Sequence, residues 1–460
     1  MPILLSIARL RALLLVACLS SLISAVPGAA THHPVPPAAE EATPDCGAPD
    51  ADGDPGERRA AHLALLGVSR WHETGFRGKG VKVAVLDTGF RGYRDHLGKE
   101  LPAHVTTASF RTDRQMEARD SQHGVLCAEV IHALAPDAEL LLGTWEPDDA
   151  DQYLKAVRWA REQGARIISC SVIMPSWSDG DGGGPLHADL TKALGNKMLC
   201  FASAGNTARR HWSGTFHDAG NGFHGWRADE TDNTVTPWGS ERVSVELYWK
   251  PGCRYQLSVE DENGTSVGRS SGQCSATRCY AVVRFLPSAS HHYQVRLQRL
   301  DGPSKEFHLV ALGGDLRYAT PNGSVAFPAD GPEVIAVGAV NGEGHRAAYS
   351  SCGPNSARPK PDLVAPVPFP CFCRERPFTG TSAAAPQAAA LAALWWSKHH
   401  DWTAAEIRDA LCRTARDLGP PGHDWETGYG MAVLPAQDEG KKAPQPGNSK
   451  MNQVAGHADP

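Results

Sequence analysis

Four side chains of this chain could together perform acyl transfer. They are the carboxylate of Asp87 in VAVLDTG, the imidazole of His123 in QHGVLCAEV, the amide of Asn206 closing FASAGN, and the hydroxyl of Ser382 in FTGTSAAAP. A hydroxyl becomes a nucleophile when a neutral imidazole takes its proton, and a carboxylate on the other ring nitrogen holds that imidazole in the required tautomer. A side-chain N–H then serves the negative oxygen that develops on the attacked carbonyl. The chain order Asp, His, Ser is one of three orders in which this constellation has arisen independently. Each residue also has a plainer reading. Thr381-Ser382 before a small-residue run is ordinary helix-cap chemistry, Asp87-Thr88-Gly89 and Gly205-Asn206 are ordinary turns, and most of the twenty histidines need no role at all. It is the conjunction, in this order, that points to one site.

The elements that must position these groups are legible beside them. VKVAVLD, from Val81, reads as a buried strand ending at Asp87, and DQYLKAVRWAREQGA as a helix capped by Asp151 and closed at Gly164; RIISCSV and MLCFASAGN read as further strands. Strands alternating with helices predict a mostly parallel α/β sheet covered on both faces. Sites in such sheets gather at the carboxyl ends of strands, where Asp87 and Asn206 stand. HGVLCAEVIHALA and AAAPQAAALAALWW are helices of small residues able to pack closely on the sheet. The second carries Ser382 at its amino end, where the helix dipole favours an oxyanion, with Gly380 freeing the turn before it. Thr403 and Glu406 form a capping box for a closing helix that ends near Leu418.

Between residues 214 and 319 the character changes. RVSVELYW, YQLSVEDENG, AVVRFL, YQVRLQRLDG and FHLVALGG are short alternating strands separated by Gly, Pro and Asn turns, which predicts an inserted all-β sandwich. The α/β unit is therefore discontinuous, 61–213 and 320–436. Residues 31–60 read as a linker too short for a folded domain, and 437–460, poor in apolar side chains, as a disordered tail.

At 460 residues with 41% hydrophobic and 21% charged side chains, the chain can bury a large core. A net charge of −6 argues against a nucleic acid or an anionic membrane surface as partner. Arg9 and Arg11 ahead of an apolar run ending in small residues give residues 1–30 the layout of a secretory signal peptide, with cleavage after Ala25 or Ala30. The reading is of an exported protein, in the periplasm or the medium, without a stable membrane span. Leu15-Val16-Ala17-Cys18 offers the alternative of a lipid anchor on Cys18. Of the twelve cysteines, Cys127, Cys170 and Cys200 lie in apolar patterns and read as buried thiols. Cys253, Cys274, Cys279, Cys352, Cys371 and Cys373 lie in turn-rich sequence suited to disulfides. Cys274 with Cys279 would close a hairpin, and Cys352 would reach Cys371 or Cys373; zinc at the Cys371-x-Cys373 pair is the minor alternative, lacking a second pair at ligand spacing.

The segments around Asp87, His123, Asn206 and Ser382 resemble those of the subtilisin-like serine peptidases, a likeness covering roughly residues 64–214 and 320–436. It implies a secreted endopeptidase acting on protein or peptide through an acyl-enzyme on Ser382, with no cofactor required. It also implies that Ser171, Val172 and Gly205 line the substrate site. The chain departs from the family at Val125, where relatives have Thr, and at Ile173 and Met174, where small residues usually stand; GTWEPDDAD replaces a strand that pairs with extended substrate. These departures suggest narrow specificity. Asp148, Asp149 and Asp151, or Asp179 and Asp181, are candidate calcium ligands of the kind several relatives use. The sandwich resembles the jelly-roll modules appended to secreted bacterial peptidases. Many relatives carry a domain-sized inhibitory propeptide, for which residues 31–60 leave no room. Two other functions fit the same residues: a dedicated processing peptidase acting on one partner recruited by the sandwich, or a binding module on a catalytically weak scaffold.

Overall fold

The computed structural model describes residues 54–117, 121–227, 230–288, 291–356 and 358–436. The expected signal segment, Cys18, most of the expected linker and the expected tail lie outside these residues. The linker reading fails at its end: Pro55–Leu65 is helix α1. Asp54 caps it, accepting from the Glu57 N–H at 3.0 Å, and Pro55 fills the first helical position, where a missing N–H costs nothing. His62 reaches the buried Gln387 amide at 2.8 Å, which docks α1 on the body of the protein.

The chain continues through α2 (Val68–Glu73), β1 (Lys82–Asp87), β2 (Thr106–Ser109), α3 (His123–Leu134), β3 (Glu139–Thr144), α4 (Ala150–Glu162), β4 (Ile167–Cys170), α5 (Pro185–Leu194) and β5 (Leu199–Ser203). The sandwich follows: β6 (His211–Thr215), β7 (Asn233–Pro237), β8 (Val243–Trp249), β9 (Arg254–Glu260), β10 (Ser266–Ser270), β11 (Gln273–Cys274), β12 (Cys279–Phe285), β13 (Tyr293–Asp301), β14 (Glu306–Leu312) and β15 (Gly314–Leu316). Then β16 (Val334–Val340), β17 (Leu363–Pro366), α6 (Thr381–Lys398) and α7 (Ala404–Thr414) complete the α/β unit.

The main sheet has the order β17-β16-β5-β4-β1-β3-β2, and every neighbouring pair is parallel. Alternation along β1 shows why both faces must be covered. Val83 and Val85 join the core built with α3, α6 and α7, while Ala84 and Leu86 join the one built with α4 and α5. After β1 the sheet grows towards β3 and β2; from β4 onward it grows the other way. The crevice where growth reverses lies at the carboxyl ends of β1 and β4.

Local signals are met with two shifts. Asp149 rather than Asp151 caps α4, accepting from Gln152 N–H at 3.0 Å, because Asp149 is the residue that keeps extended backbone; Asp151 lies inside the first turn. Gly164, at φ 81°, follows the helix as expected. The capping box of Thr403 and Glu406 is formed, yet α7 stops at Thr414 instead of Leu418, since Arg416 exchanges backbone hydrogen bonds of 2.8 Å with Met431.

A buried ionic group braces the far side of the sheet. Asp362 accepts from Lys360 Nζ at 2.9 Å, from the Ala336 N–H at 2.9 Å and from Arg408, and both Asp362 and Lys360 are almost wholly buried. Burial alone would raise the Asp362 carboxyl, but Lys360 and Arg408 outweigh it and hold the group below the usual carboxylate range. A pKa lower in the folded than in the unfolded chain stabilises the fold above the unfolded value, and that contribution is lost as pH falls through the folded one. Asp362→Ala, which strands Lys360 and Arg408, is expected to cost about 3–5 kcal/mol at neutral pH, read as a lower urea midpoint at unchanged slope.

The insertion is two antiparallel five-stranded sheets, β10-β9-β13-β7-β15 and β11-β12-β8-β14-β6. Leu247, Val259, Leu297 and Phe307 are fully buried between them. It starts at His211, before the expected boundary, because β6 pairs with β14 from His211 opposite Val310. Strands β6, β7, β10, β11 and β15 went unread, being only two to five residues long with no sustained apolar alternation. Cys274 and Cys279 form a disulfide across the β11–β12 hairpin. The pairing of Cys352 with Cys371 or Cys373 is corrected: all three are free thiols, the Cys352 thiol donating to the Pro321 carbonyl and that of Cys371 to Arg376. Cys253 is also free and buried, and so are Cys127, Cys170 and Cys200. Among the described residues no helix is long and apolar enough to cross a membrane.

Candidate active site

Asp87 is the last residue of β1 and fully buried. Its Oδ1 accepts the Thr88 N–H and its Oδ2 meets His123 Nδ1, both at 2.8 Å. The carboxylate is thus held on one side by backbone and presents the other to the imidazole. His123 opens α3, and Gly124 explains how the helix start comes so close to the end of β1. A Cβ at Gly124 would stand 2.6 Å from the Phe90 ring and 2.8 Å from the Gly89 carbonyl, whose oxygen accepts the Gly124 N–H at 3.0 Å. Val125, the departure from the family, is fully buried in the α3–α6 core. The Phe378 ring stands edge-on to His123 at 5.7 Å, and the buried Cys127 thiol lies 4.0 Å from Asp87 Oδ2. Burial, reinforced by the Asp87 charge, pushes that thiol well above its ordinary pKa, so Cys127 stays neutral beneath the pair.

Ser382 is the second residue of α6, whose following turns are buried and rich in alanine. Its hydroxyl donates to the Ser171 carbonyl at 3.3 Å, and the Ser171 hydroxyl donates back to the Ser382 carbonyl at 3.2 Å. Ser171 follows β4, so this reciprocal pair ties the helix to the crevice. Gly380, which precedes α6, has φ 85°, and a Cβ there would stand 3.0 Å from Asn206 Nδ2. Only glycine satisfies both conditions.

Asn206 lies just beyond β5. Its Oδ1 accepts from the Thr381 N–H at 3.0 Å and from the Thr381 hydroxyl at 2.9 Å. Because a backbone N–H can only donate, the amide orientation is determined and Nδ2 is the edge beside Gly380. The Asn206 carbonyl accepts from Arg210 Nε at 2.9 Å and from a second guanidinium nitrogen, and that guanidinium lies 4.3 Å from the centre of the Trp238 ring in the sandwich. Thr381, Arg210 and Phe378 were not singled out from sequence. Thr381 lies inside a motif that was read, whereas Arg210 in TARRHW carries no spacing that marks it.

The structure brings Asp87 and His123 together, and separately joins Asn206, Gly205, Thr381, Ser382 and Ser171; Gly205 N–H donates to Thr381 Oγ1 at 3.2 Å. Val172 is partly buried against the α4–α5 core. Ile173 crosses Gly205, its Cδ1 being 3.4 Å from where a Gly205 Cβ would stand, and Met174 is buried, its N–H on the Phe327 carbonyl at 2.9 Å. Within GTWEPDDAD, Trp145 turns inward, its ring packing against Tyr153 at 4.9 Å. Of the acidic residues expected as calcium ligands, Asp148 pairs with Arg284 and Asp181 with Lys250, both at 2.7 Å, and Asp149 caps α4. Among the described residues neither of these clusters converges three ligand atoms.

The sequence profile of the Subtilase family matches residues 78–225 and 265–430. Subtilisin of Bacillus pumilus is 37% identical over 131 residues, 28% of this chain and 45% of that protein. Subtilisin E of Bacillus subtilis is 37% identical over 113 residues, 24% of this chain and 29% of that protein. The chain thus spans less than half the length of the curated relatives it matches. Among solved structures, the CspB protease of Clostridium perfringens superposes with a TM-score of 0.59 at 16% identity, over 81% of this chain and 97% of that one, and shares the fold. With its profile covering both halves of the α/β unit, the chain belongs to the subtilase family of serine-type peptidases.

Proposed function

We propose that this chain is an exported serine endopeptidase that cleaves peptide bonds through an acyl-enzyme on Ser382. The observation that carries this reading is the 2.8 Å contact of His123 Nδ1 with the buried Asp87 carboxylate, at the crevice onto which the amino end of α6 also opens. With Nδ1 committed to Asp87, Nε2 is the nitrogen left to take the Ser382 proton. Attack on the scissile carbonyl then forms the tetrahedral adduct, and the imidazolium returns the proton to the leaving amine. Water repeats the sequence and releases the acid. In attack the Ser382 hydroxyl exchanges the Ser171 carbonyl for Nε2. The oxyanion is received by the Ser382 N–H and Asn206 Nδ2, the latter aimed by Thr381. Asn206→Ala is expected to lower kcat about 100- to 1,000-fold with KM little changed, since the donor acts on a charge absent from the bound substrate.

Purified protein treated with a fluorophosphonate probe should be labelled at Ser382, and Ser382→Ala and His123→Ala should each abolish the label. Labelling at another residue, or none in folded protein, would overturn the reading. Substrates are proteins or peptides in extended form. The Ile173 side chain across Gly205 favours narrow specificity, so Ile173→Gly should broaden the set of peptides cleaved in a library digest; broad cleavage by the unaltered protein would remove the idea. Recruitment of one partner is favoured by where the sandwich rests. Glu246 of β8 accepts the Ser176 N–H at 3.0 Å, next to the Ser171–Met174 segment, so this part of the sandwich sits beside the proposed substrate groove.

A further inference from the structure

Away from the catalytic group, His96 Nδ1, a Glu100 carboxylate oxygen and Cys373 Sγ lie within 4.8 Å of one another, and all three residues are half-buried. Two of the donors are brought together locally. Tyr93–His96 is a short helical turn, after which the N–H groups of Lys99 and Leu101 both donate to the His96 carbonyl, at 3.1 and 3.0 Å. That bend folds Glu100 back until its carboxylate meets Nδ1 at 2.8 Å. The third donor comes from the remote 370s loop and is held independently. The N–H groups of Phe372 and Cys373 donate to Glu129 at 2.5 and 3.1 Å, and Glu129 is fully buried on α3, where Arg59 of α1 also binds it. The backbone carrying the thiol is therefore anchored to the rigid core.

We propose that His96, Glu100 and Cys373 bind one zinc ion. The donor set selects the metal: imidazole nitrogen, carboxylate oxygen and thiolate sulfur are all zinc ligands, whereas calcium and magnesium take oxygen alone. Zinc bonds of about 2.0–2.3 Å in a tetrahedron place ligand atoms roughly 3.3–3.8 Å apart. The present cluster therefore needs only a modest contraction towards Sγ and an opening of the Nδ1–Oε2 contact. Three protein ligands leave the fourth position to water. The ion would join the segment after β1 to the loop that runs through Phe378 to Ser382. The neighbouring Cys371 takes no part, its thiol being directed to the Arg376 carbonyl.

The test uses the full chain loaded with zinc, desalted and analysed for metal, and in parallel loaded with cobalt(II). One zinc per chain and a thiolate-to-cobalt charge-transfer band are expected. Cys373→Ser should remove the band, and Cys373→Ser, His96→Ala and Glu100→Gln should each weaken zinc binding, with loss of a ligand exceeding the roughly 100-fold that outer partners cost. Cys371→Ser should keep both signals, and so should His123→Ala, which breaks the Asp87–His123–Cys127 group, the other close donor set among the described residues. Thermal midpoints separate misfolding from lost binding: zinc should raise that of the parent chain, and the three ligand variants should match the parent's metal-free midpoint without the zinc response. Failure to retain zinc, a cobalt band that survives Cys373→Ser, or metal lost only with His123→Ala would each overturn the assignment, whether or not the chain reacts with fluorophosphonate.

Discussion

Ser382→Ala and His123→Ala are each expected to lower kcat about 10⁶-fold, and the double variant is expected to fall no further. The reason is that neither group has a chemical use without the other. In the proposed mechanism Asp87 occupies Nδ1 and Nε2 is the nitrogen that takes the Ser382 proton; without the base, the hydroxyl would be no better a nucleophile than its reciprocal partner Ser171. What survives in every variant is the contribution of oxyanion donors and substrate positioning, so the three residual rates converge. The check is kcat on a cleavable peptide for both single variants and the double. A double variant far slower than either single would mean that the two residues act separately, and a Ser382→Ala protein of near-parental rate would place the chemistry elsewhere.

The next largest effect concerns a tautomer. Asp87→Asn should reduce kcat about 10⁴-fold while leaving the fold and substrate affinity intact. The Thr88 N–H, 2.8 Å from Oδ1, can only donate, so in the variant it retains the amide oxygen and turns the NH₂ towards His123. A donor facing Nδ1 forces Nδ1 to accept. The proton then sits on Nε2, the atom that has to receive the one from Ser382. The measurement is kcat and KM at neutral pH together with fluorophosphonate labelling, where the rate should collapse in step with kcat. Unchanged kinetics would show that Thr88 does not fix the orientation.

These groups could be found from sequence because each stands at a junction with strong local chemistry. Asp87 ends a run of buried strand residues, His123 and Gly124 open a small-residue helix, and Gly380 precedes another. The parallel sheet was legible for the same reason, since strands buried on both faces leave continuous apolar runs. What escaped reading depends on distance in the chain. Arg210 gains its meaning from the Trp238 ring, Glu129 from two backbone N–H groups of the 370s loop, and Cys373 from a histidine far upstream. No periodicity encodes such meetings. The cysteines show the contrast within one residue type: the Cys274–Cys279 bridge spans a hairpin and could be foreseen, whereas Cys352, Cys371 and Cys373 lay in equally turn-rich sequence and remain thiols.

The interruption of the catalytic sheet also has a consequence in time. Asp87, His123 and Asn206 leave the ribosome before the sandwich, and Ser382 leaves after it. Strands β16 and β17 join the open edge of β5 only once the sandwich has been made, and α6 settles across the sheet after them. On the proposed mechanism, a chain still being synthesised therefore holds its base and oxyanion donor with no nucleophile to activate. Cleavage can then begin only with the last third of the polypeptide, which brings Ser382, after the neighbouring module has been made.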